Sequence, residues 1–281
     1  MSPGETPAAV PPDLIAALDA RRARLGGFAA FLRYFKSVGS TNDVAARLAD
    51  AGAPHGAAVI AVAQERGRGR MGRGWFSPPG SGLYVSVVLR PAALGAGFGS
   101  GASGASVASS VTLSAGVAVA EAIREVSGLR VEIKWPNDLV VGRRKLCGIL
   151  AEASAAASGL QHVVLGFGIN LRAAGYPPDL AGRATSIEEE LRRPVDEQVL
   201  LAEALARLSE TISGLPVRGL EAVLRRWREL SPSASGARVE VLAGAGRWEI
   251  ATTAGIDDDG ALLVTRAGSI HRVIAGEVRW L

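Results

Sequence analysis

The chain has 281 residues, of which 48% are hydrophobic and 21% are charged, and its formal net charge is +4. This composition excludes a disordered chain. The length is sufficient for one large domain and a smaller one. A single cysteine, Cys147, excludes an intramolecular disulfide and a zinc site built from several cysteines. It lies in an apolar run, where a small buried side chain is expected rather than a nucleophile.

The amino-terminal region predicts neither export nor DNA binding. Residues 1–12 lack the basic start and apolar core of a signal peptide, so a cytoplasmic protein is expected. Residues 13–32 carry apolar residues among arginines, which predicts one short amphipathic helix or two fragments. About thirty residues precede the first motif, too few for a winged helix-turn-helix, so no DNA binding is expected.

A polar turn at residues 35–42 leads into an Ala-rich helix. Ser40, Thr41 and Asn42 stand where a helix begins, and capping is the common use of such residues. Three in succession also offer hydroxyls and an amide for a neutral polar ligand. The residues alone leave both interpretations open.

Residues 64–75, here called the arginine loop, hold four arginines and one glutamate, so they contribute +3 of the chain's net charge. Apolar runs at 57–63 and 83–89 predict strands on both sides. Arginine binds phosphate and carboxylate in bidentate fashion, and the alternating glycines make the backbone adaptable. The loop predicts an ordered or ligand-ordered anion site, although Arg-Gly sequence also occurs in RNA-binding tails. The spacing of a Walker A loop is absent.

The middle of the chain predicts a sheet. Residues 91–120 carry no charge, but their first half is too rich in Gly, Ala and Ser for a membrane span. A flexible loop to about residue 106 and a buried helix over 107–126, ending at Gly128, are expected instead. Strands follow at 130–134, 139–141, 146–152 and 162–170, joined by short turns. They predict a mixed, largely antiparallel sheet with helices on one side.

Residues 187–281 change pattern twice. Residues 187–230 show helical spacing, and residues 231–236 are a linker by composition. From residue 237 onward short strands alternate with turns, including a hairpin turn at 257–260. They predict a small β-barrel of about 45 residues.

Several of these motifs together resemble the biotin protein ligases. Six occur in the family's order: Ser40-Thr41-Asn42, Gln64, Gly67-Arg68-Gly69-Arg70-Met71-Gly72-Arg73, Lys134-Trp135-Pro136-Asn137-Asp138, Arg144-Lys145-Leu146-Cys147-Gly148-Ile149-Leu150 and Gly166-Phe167-Gly168-Ile169-Asn170. Residues 184–187 and the closing motif at 275–278 are also similar. The resemblance implies an α/β catalytic domain related to class II aminoacyl-tRNA synthetases at 33–232. An extension at 1–32 precedes it and an SH3-like domain at 233–281 follows.

The resemblance implies an enzyme that uses ATP to activate biotin as biotinyl-5'-AMP. It then transfers biotin to a lysine of a biotin carboxyl carrier protein, with Mg²⁺ on the phosphates. The regulatory members of the family carry an amino-terminal DNA-binding domain, and this sequence is expected to differ from them in lacking one. The resemblance also allows a homodimer. Lipoate ligase is the closest enzymatic alternative, but its lysine lies elsewhere and it lacks the Gly-Arg-Gly-Arg loop. An RNA-binding module using the arginine loop is the alternative from another class.

The site residues carried over from the family fall into three groups. The catalytic residues are Arg70, Lys145 and Asp138, and Asp138 is either a magnesium ligand or a hairpin-turn residue. The biotin-binding residues are Ser40, Thr41, Asn42, Gln64, Arg68, Gly69, Arg70, Lys145 and Gly148. The ATP-binding residues are Arg68, Arg70, Trp75, Asn137, Lys145 and Asn170. No role is assigned to His55, His162 or His271, since acyl transfer from an adenylate needs no covalent nucleophile.

Overall fold

The computed structural model describes residues 6–95, 103–157, 159–243, 246–274 and 278–281. Within these ranges the chain forms a seven-stranded sheet, a five-stranded sheet and helices that cover them. Most of the predicted Gly/Ser loop, at 96–102, lies outside the described residues. Residues 275–277 of the predicted closing motif lie outside them as well.

The larger sheet is mixed, as the sequence predicts. Its order is β1-β2-β3-β7-β6-β5-β4; only β1 and β2 pair in parallel, and the other neighbours are antiparallel. The strands are β1 Leu32–Phe35, β2 Ala58–Ala61, β3 Gly82–Leu89, β4 Glu132–Lys134, β5 Asp138–Val141, β6 Arg144–Ala156 and β7 Gly159–Asn170. Strand β1 was not predicted. Four residues are too few to show a period, and its pairing with β2 is a tertiary contact.

Helices cover both faces of this sheet, so the expectation of helices on one side is wrong. They are α1 Pro12–Asp19, α2 Arg22–Leu25, α3 Thr41–Asp50, α4 Gly104–Ser127, α5 Ile187–Leu191 and α6 Glu197–Leu230. Helix α3 packs on one face against Val59, Val88 and Val164. Helices α1, α2, α4 and α6 pack on the opposite face, where Val85 and Val87 point. Central strands buried on both faces read as continuous apolar runs, which hides the second layer of helix from the sequence.

Helix α4 lies in the core between α6 and the sheet. It begins at Gly104, three residues before the predicted start, because the Ser103 side chain caps it by accepting a hydrogen bond from the amide of Ser106. It ends at Gly128, which has a left-handed φ of 76°. In the described part of the chain it is the one helix whose length and apolar composition would allow a membrane crossing, and 72% of its most apolar stretch is buried in the protein.

The smaller sheet is antiparallel, with the order β11-β10-β9-β8-β12. Its strands are β8 Ser235–Ala243, β9 Arg247–Ile256, β10 Leu262–Arg266, β11 Ser269–Val273 and β12 Val278–Trp280. The predicted turn at 257–260 joins β9 to β10, and the Asp257 carboxylate accepts hydrogen bonds from the amides of Asp259 and Ala261. The predicted strands are therefore confirmed.

The predicted linker at 231–236 is packed rather than flexible. Ser231 is 2% exposed and donates a hydrogen bond to the carbonyl of Ile133 at 2.6 Å. Thr253 donates to the carbonyl of Ser233, and the Trp135 indole donates to the carbonyl of Gly260 at 3.1 Å. The two sheets thus share one hydrophobic core. The small residues at 231–236 are typical of a flexible linker, but small residues also fit between two packed layers, so composition does not distinguish the two cases.

A buried carboxylate anchors the amino-terminal helices. Glu203 on α6 accepts hydrogen bonds from Arg21, Arg24 and Arg207. Burial by itself raises the pKa of Glu203, but the hydrogen bonds from these arginines outweigh it and lower the pKa to about 2. Of the two predicted alternatives, one helix or two fragments, the structure shows two short helices, α1 and α2, which these bonds connect to α6.

Candidate active site

A cavity of about 1190 Å³ lies on the α3 face of the larger sheet. The start of α3, the arginine loop, the β4–β5 turn, strands β6 and β7 and the chain's last residues all contribute to its wall. Every site residue carried over from the family motifs lines it: Ser40, Thr41, Asn42, Gln64, Arg68, Gly69, Arg70, Trp75, Asn137, Asp138, Lys145, Gly148 and Asn170. Motifs separated by 130 residues are therefore brought to one place.

Three glycines on adjacent strands form the floor of the cavity. Gly148 of β6 lies opposite Gly168 of β7, and Gly166 lies two residues before Gly168 on the same face. A Cβ atom added at Gly166 would lie 2.1 Å from Asn42 Oδ1, and one at Gly168 would lie 2.4 Å from Trp75 Nε1. A side chain at any of these positions would therefore collide with Asn42 or Trp75, which lie against the glycines. Glycine in a strand is typical of a place where other side chains or a ligand approach the backbone of the sheet closely.

The polar end of the cavity is organised by Gln64. Its Oε1 accepts hydrogen bonds from the amide and the hydroxyl of Thr41 at 2.9 and 3.0 Å, and its Nε2 donates to Ser77 at 3.0 Å. Ser40 occupies the position before α3, yet its side chain makes no capping bond to any described residue. For Ser40 the capping interpretation is therefore wrong, and the residue lines the cavity instead.

Two further residues, Ser86 and Glu152, do not line the cavity but form hydrogen bonds with the side chains of this polar end. Ser86 Oγ lies 2.8 Å from Thr41 Oγ1 and 2.6 Å from Asn42 Oδ1, and Asn42 Nδ2 donates to Glu152 at 2.7 Å. Neither was among the predicted site residues. A serine inside the apolar run 83–89 was the available signal for Ser86, since an unpaired hydroxyl is costly in a buried strand.

The arginine loop is folded into a tight hairpin. The amide of Trp75 donates to the carbonyl of Gly67 at 2.8 Å, and the amide of Gly69 donates to the carbonyl of Arg73 at 2.7 Å. A Cβ atom at Gly67 would lie 2.4 Å from the carbonyl oxygen of Trp75, so this crossing requires glycine. Met71 stands at the tip and is 67% exposed. The loop is thus ordered by its own backbone bonds.

The two central arginines of the loop have different partners. Arg68 makes a bidentate pair with Glu152 at 2.9 and 2.7 Å and also contacts Asp43 at 2.9 Å. Arg70 instead reaches Asn137, with 3.4 Å between Nη1 and Oδ1. Burial lowers the pKa of Arg70, while the nearby charge of Asp138 opposes this change. Two carboxylates already compensate Arg68, so Arg70 is better placed to meet a phosphate.

Lys145 and Asp138 form an ion pair beside Arg70, with 2.6 Å between Nζ and Oδ1. The ammonium group also lies 5.1 Å from the centre of the Trp75 ring, within the range of a cation–π contact. Asn170 binds the backbone next to this pair. Its Nδ2 donates to the carbonyl oxygen of Thr185 at 3.0 Å and lies 3.4 Å from the backbone carbonyl oxygen of Lys145. In this structure the amide nitrogen of Asn170 holds the backbone, so its predicted contact with ATP would use another atom.

The carboxyl terminus closes one side of the cavity. Lys134 lies 5.6 Å from the centre of the Trp280 ring, and Arg143 donates to the carbonyl of Leu281 at 2.6 Å. Burial lowers the pKa of Lys134. Neither Lys134 nor Arg143 was among the predicted site residues. The smaller sheet therefore contributes directly to the wall of the site.

The magnesium prediction fits this cavity in a limited way. Among the described residues no group of three or more His, Cys, Asp or Glu side chains is arranged to hold a metal ion. Mg²⁺ is commonly held by one or two carboxylates together with substrate phosphates. Asp138, beside Lys145 and Arg70, is a carboxylate that fits such an arrangement once a triphosphate supplies the other oxygens.

The fold and this cavity match a known class of enzyme. A family model described as "Biotin/lipoate A/B protein ligase family" matches residues 34–170, which hold all the predicted site residues. The class is therefore that of protein ligases for biotin and lipoate.

Individual relatives narrow the class. The biotin–[acetyl-CoA-carboxylase] ligase of Paracoccus denitrificans is 34% identical over 85% of this chain and 96% of its own length. The corresponding ligase of Mycobacterium tuberculosis is 33% identical over 85% of both chains. The structure of the biotin protein ligase from Aquifex aeolicus in complex with biotin and ATP superposes with a TM-score of 0.74. That pair is 26% identical and covers 90% of this chain and 99% of the other. The chain belongs to the biotin protein ligase family.

Proposed function

We propose that this ligase activates biotin with ATP and transfers the biotinyl group to a lysine of a biotin carboxyl carrier protein. One observation carries the proposal. A single cavity holds a neutral polar end, formed by Thr41, Asn42 and Gln64, and a cationic end formed by Arg70 and Lys145. A glycine floor joins the two ends. A ligand with a neutral ring and a carboxylate tail would reach the cations with its tail.

The cationic end suits the first half-reaction, in which the biotin carboxylate attacks the α-phosphorus of ATP and pyrophosphate leaves. Two like charges about 4 Å apart repel by roughly 4 kcal/mol at an effective dielectric constant near 20. Arg70 and Lys145 lower this repulsion because both lie where the carboxylate and the phosphate would meet. Asp138 keeps the Lys145 ammonium oriented toward that point. When bound, Mg²⁺ would add positive charge on the phosphates next to Asp138.

In the second half-reaction the acceptor lysine attacks the carbonyl of the mixed anhydride, and AMP leaves with the electron pair of the broken bond. The anhydride is held without a covalent bond to the protein, so a nucleophilic side chain is unnecessary. The arginine loop and Trp75 cover the glycine floor and would keep water from the anhydride. Catalysis of this reaction thus depends on binding the reactants and on electrostatic stabilisation rather than on a catalytic triad.

The same proposal extends to the finer architecture and setting. The larger sheet with its helices, at 33–232, corresponds to a catalytic domain related to class II aminoacyl-tRNA synthetases. The smaller sheet, at 233–281, corresponds to an SH3-like domain, and its antiparallel order supports this assignment. We further propose that the enzyme works in the cytoplasm and that it associates as a homodimer. Measuring its molar mass in solution, with and without biotin and ATP, would test the homodimer.

Biotin-dependent exchange of radiolabelled pyrophosphate into ATP tests the proposal directly. Exchange that requires biotin, and that is followed by biotin transfer to a carrier domain, is the expected result. Exchange with lipoate but not biotin would replace this proposal by the lipoate alternative. Salt-sensitive RNA binding without any exchange would favour an RNA-binding role for the arginine loop.

A further inference from the structure

Glu152 lies behind the cavity wall and accepts hydrogen bonds from two residues that line the cavity, Asn42 and Arg68. It projects from β6 on the same face as Gly148, and both of its oxygens are used. Oε1 accepts from Arg68 Nη1 at 2.9 Å, while Oε2 accepts from Arg68 Nη2 and from Asn42 Nδ2, each at 2.7 Å. One carboxylate therefore connects the arginine loop, helix α3 and the sheet.

The bond from Glu152 also decides the orientation of the Asn42 amide. An ionised carboxylate can only accept, so the NH₂ group of Asn42 must face Glu152. The amide oxygen then faces Ser86, whose hydroxyl can donate to it at 2.6 Å. Asn42 is 4% exposed, and a flipped amide would set two acceptors against each other in a buried place. Glu152 thus selects which atom of Asn42 a ligand would meet.

On the other side, the bidentate pair fixes the arginine loop. Arg68 stands at the base of the hairpin, where it faces Gly74 across an isolated bridge. The Arg68 guanidinium is bound to Glu152 on β6 and to Asp43 on α3. These contacts fix the position of the next two residues, Gly69 and Arg70, over the cavity floor. The pair is part-exposed, with 39% of the Arg68 side chain and 37% of the Glu152 side chain accessible.

We infer that Glu152 is a positioning residue that holds the arginine loop closed over the bound acyl-adenylate and sets the orientation of Asn42. It makes no contact with the reacting atoms; it acts through Arg68 and Asn42. The inference rests on the proposed function. Loss of its charge should open the loop and speed release of the adenylate, with little change in the rate at which bound reactants combine.

The test uses Glu152→Gln in the full chain. Enzyme loaded with radiolabelled biotinyl-adenylate is chased with unlabelled adenylate, and the release rate is measured. A release rate about 10-fold faster than that of the wild type is expected, the size appropriate to a part-exposed charge-assisted pair. The KM for biotin should rise because glutamine keeps only one acceptor oxygen, so Asn42 and Arg68 compete for it, whereas kcat for pyrophosphate exchange should change by less than about 3-fold.

Glu249→Gln is the matched control. Glu249 forms a pair of similar exposure with Arg266 on the smaller sheet, 3.1 Å apart. Its partner Arg266 does not line the cavity, whereas Arg68 and Asn42, the partners of Glu152, do. The release rate of Glu249→Gln should equal that of the wild type. In an Arg68→Gln background, Glu152→Gln should add nothing further to adenylate release, since its effect on release acts through Arg68.

The outcomes separate cleanly. Equal release rates for Glu152→Gln and the wild type would overturn the inference. A full additional acceleration in the Arg68→Gln background would overturn it as well. A fall in thermal midpoint with unchanged release and unchanged KM would show a merely structural role. If the wild type forms no adenylate at all, the proposed function itself fails, whereas adenylate formation with equal release rates refutes this inference alone.

Discussion

Substituting Gly166 by alanine tests the role of the glycine floor. The added Cβ atom would lie 2.1 Å from Asn42 Oδ1, 2.9 Å from its Cγ and 3.2 Å from its Nδ2, so the Asn42 side chain must leave its place. It would then lose its bonds to Ser86 and Glu152. One buried neutral bond and one bond to a carboxylate together contribute about 2–4 kcal/mol.

Two consequences follow from this displacement. At roughly 2–4 °C per kcal/mol for a chain of this size, the thermal midpoint of Gly166→Ala should fall by about 4–16 °C. Because Asn42 lies at the predicted biotin end, the KM for biotin should rise at least about 10-fold while the KM for ATP changes little.

Pyrophosphate exchange, titrated separately with biotin and with ATP, measures both constants. Gly175→Ala is the matched control: at Gly175 an added Cβ atom would meet no described atom within 4 Å. An unchanged KM for biotin in Gly166→Ala would refute the assignment of Asn42 to the biotin end. A rise only in the KM for ATP would reverse the proposed orientation of the ligands.

Three further changes test other parts of the account. Lys145→Ala should lower pyrophosphate exchange by at least about 100-fold with little loss of stability, since its ammonium offsets charge at the reacting centre; exchange near the wild-type rate, measured at saturating substrates, would exclude that role. Arg70→Gly should leave the circular dichroism spectrum unchanged but accelerate loss of bound adenylate in a filter-binding chase, and equal retention would remove Arg70 from the site. The folded-state pKa of Glu203 lies near 2, below its ordinary value, so its contribution to stability is complete above about pH 4.5 and is lost as the pH falls toward 2. Thermal midpoints across that range should fall more steeply for the wild type than for Glu203→Gln, and parallel curves would contradict the assigned pKa.

The sequence predicted the composition of the site better than its contacts. The residues carried over as site residues, from Ser40 to Asn170, all line one cavity, and the strands around the arginine loop were confirmed. These features are local: a periodic apolar run or a motif of fixed spacing depends on near neighbours in the chain.

What the sequence missed depends on contacts between distant residues. Glu152 reaches Arg68 across 84 positions and Asn42 across 110. Neither separation leaves a pattern in one sequence. The second helical layer over the sheet escaped for the same reason, and so did the packing of Ser231 against Ile133. Arg68 was predicted to meet phosphate, but its pairing with two carboxylates appears only once the fold brings them together.

The most direct test of the central claim is native mass spectrometry of the protein after incubation with biotin, ATP and Mg²⁺. A cavity that joins the carboxylate of biotin to a nucleotide should retain the product, so we expect a bound species with the mass of biotinyl-AMP. Its formation should require both substrates and should be lost in Lys145→Ala. A protein that carries biotin and ATP as separate ligands, with no adenylate formed, would contradict the account.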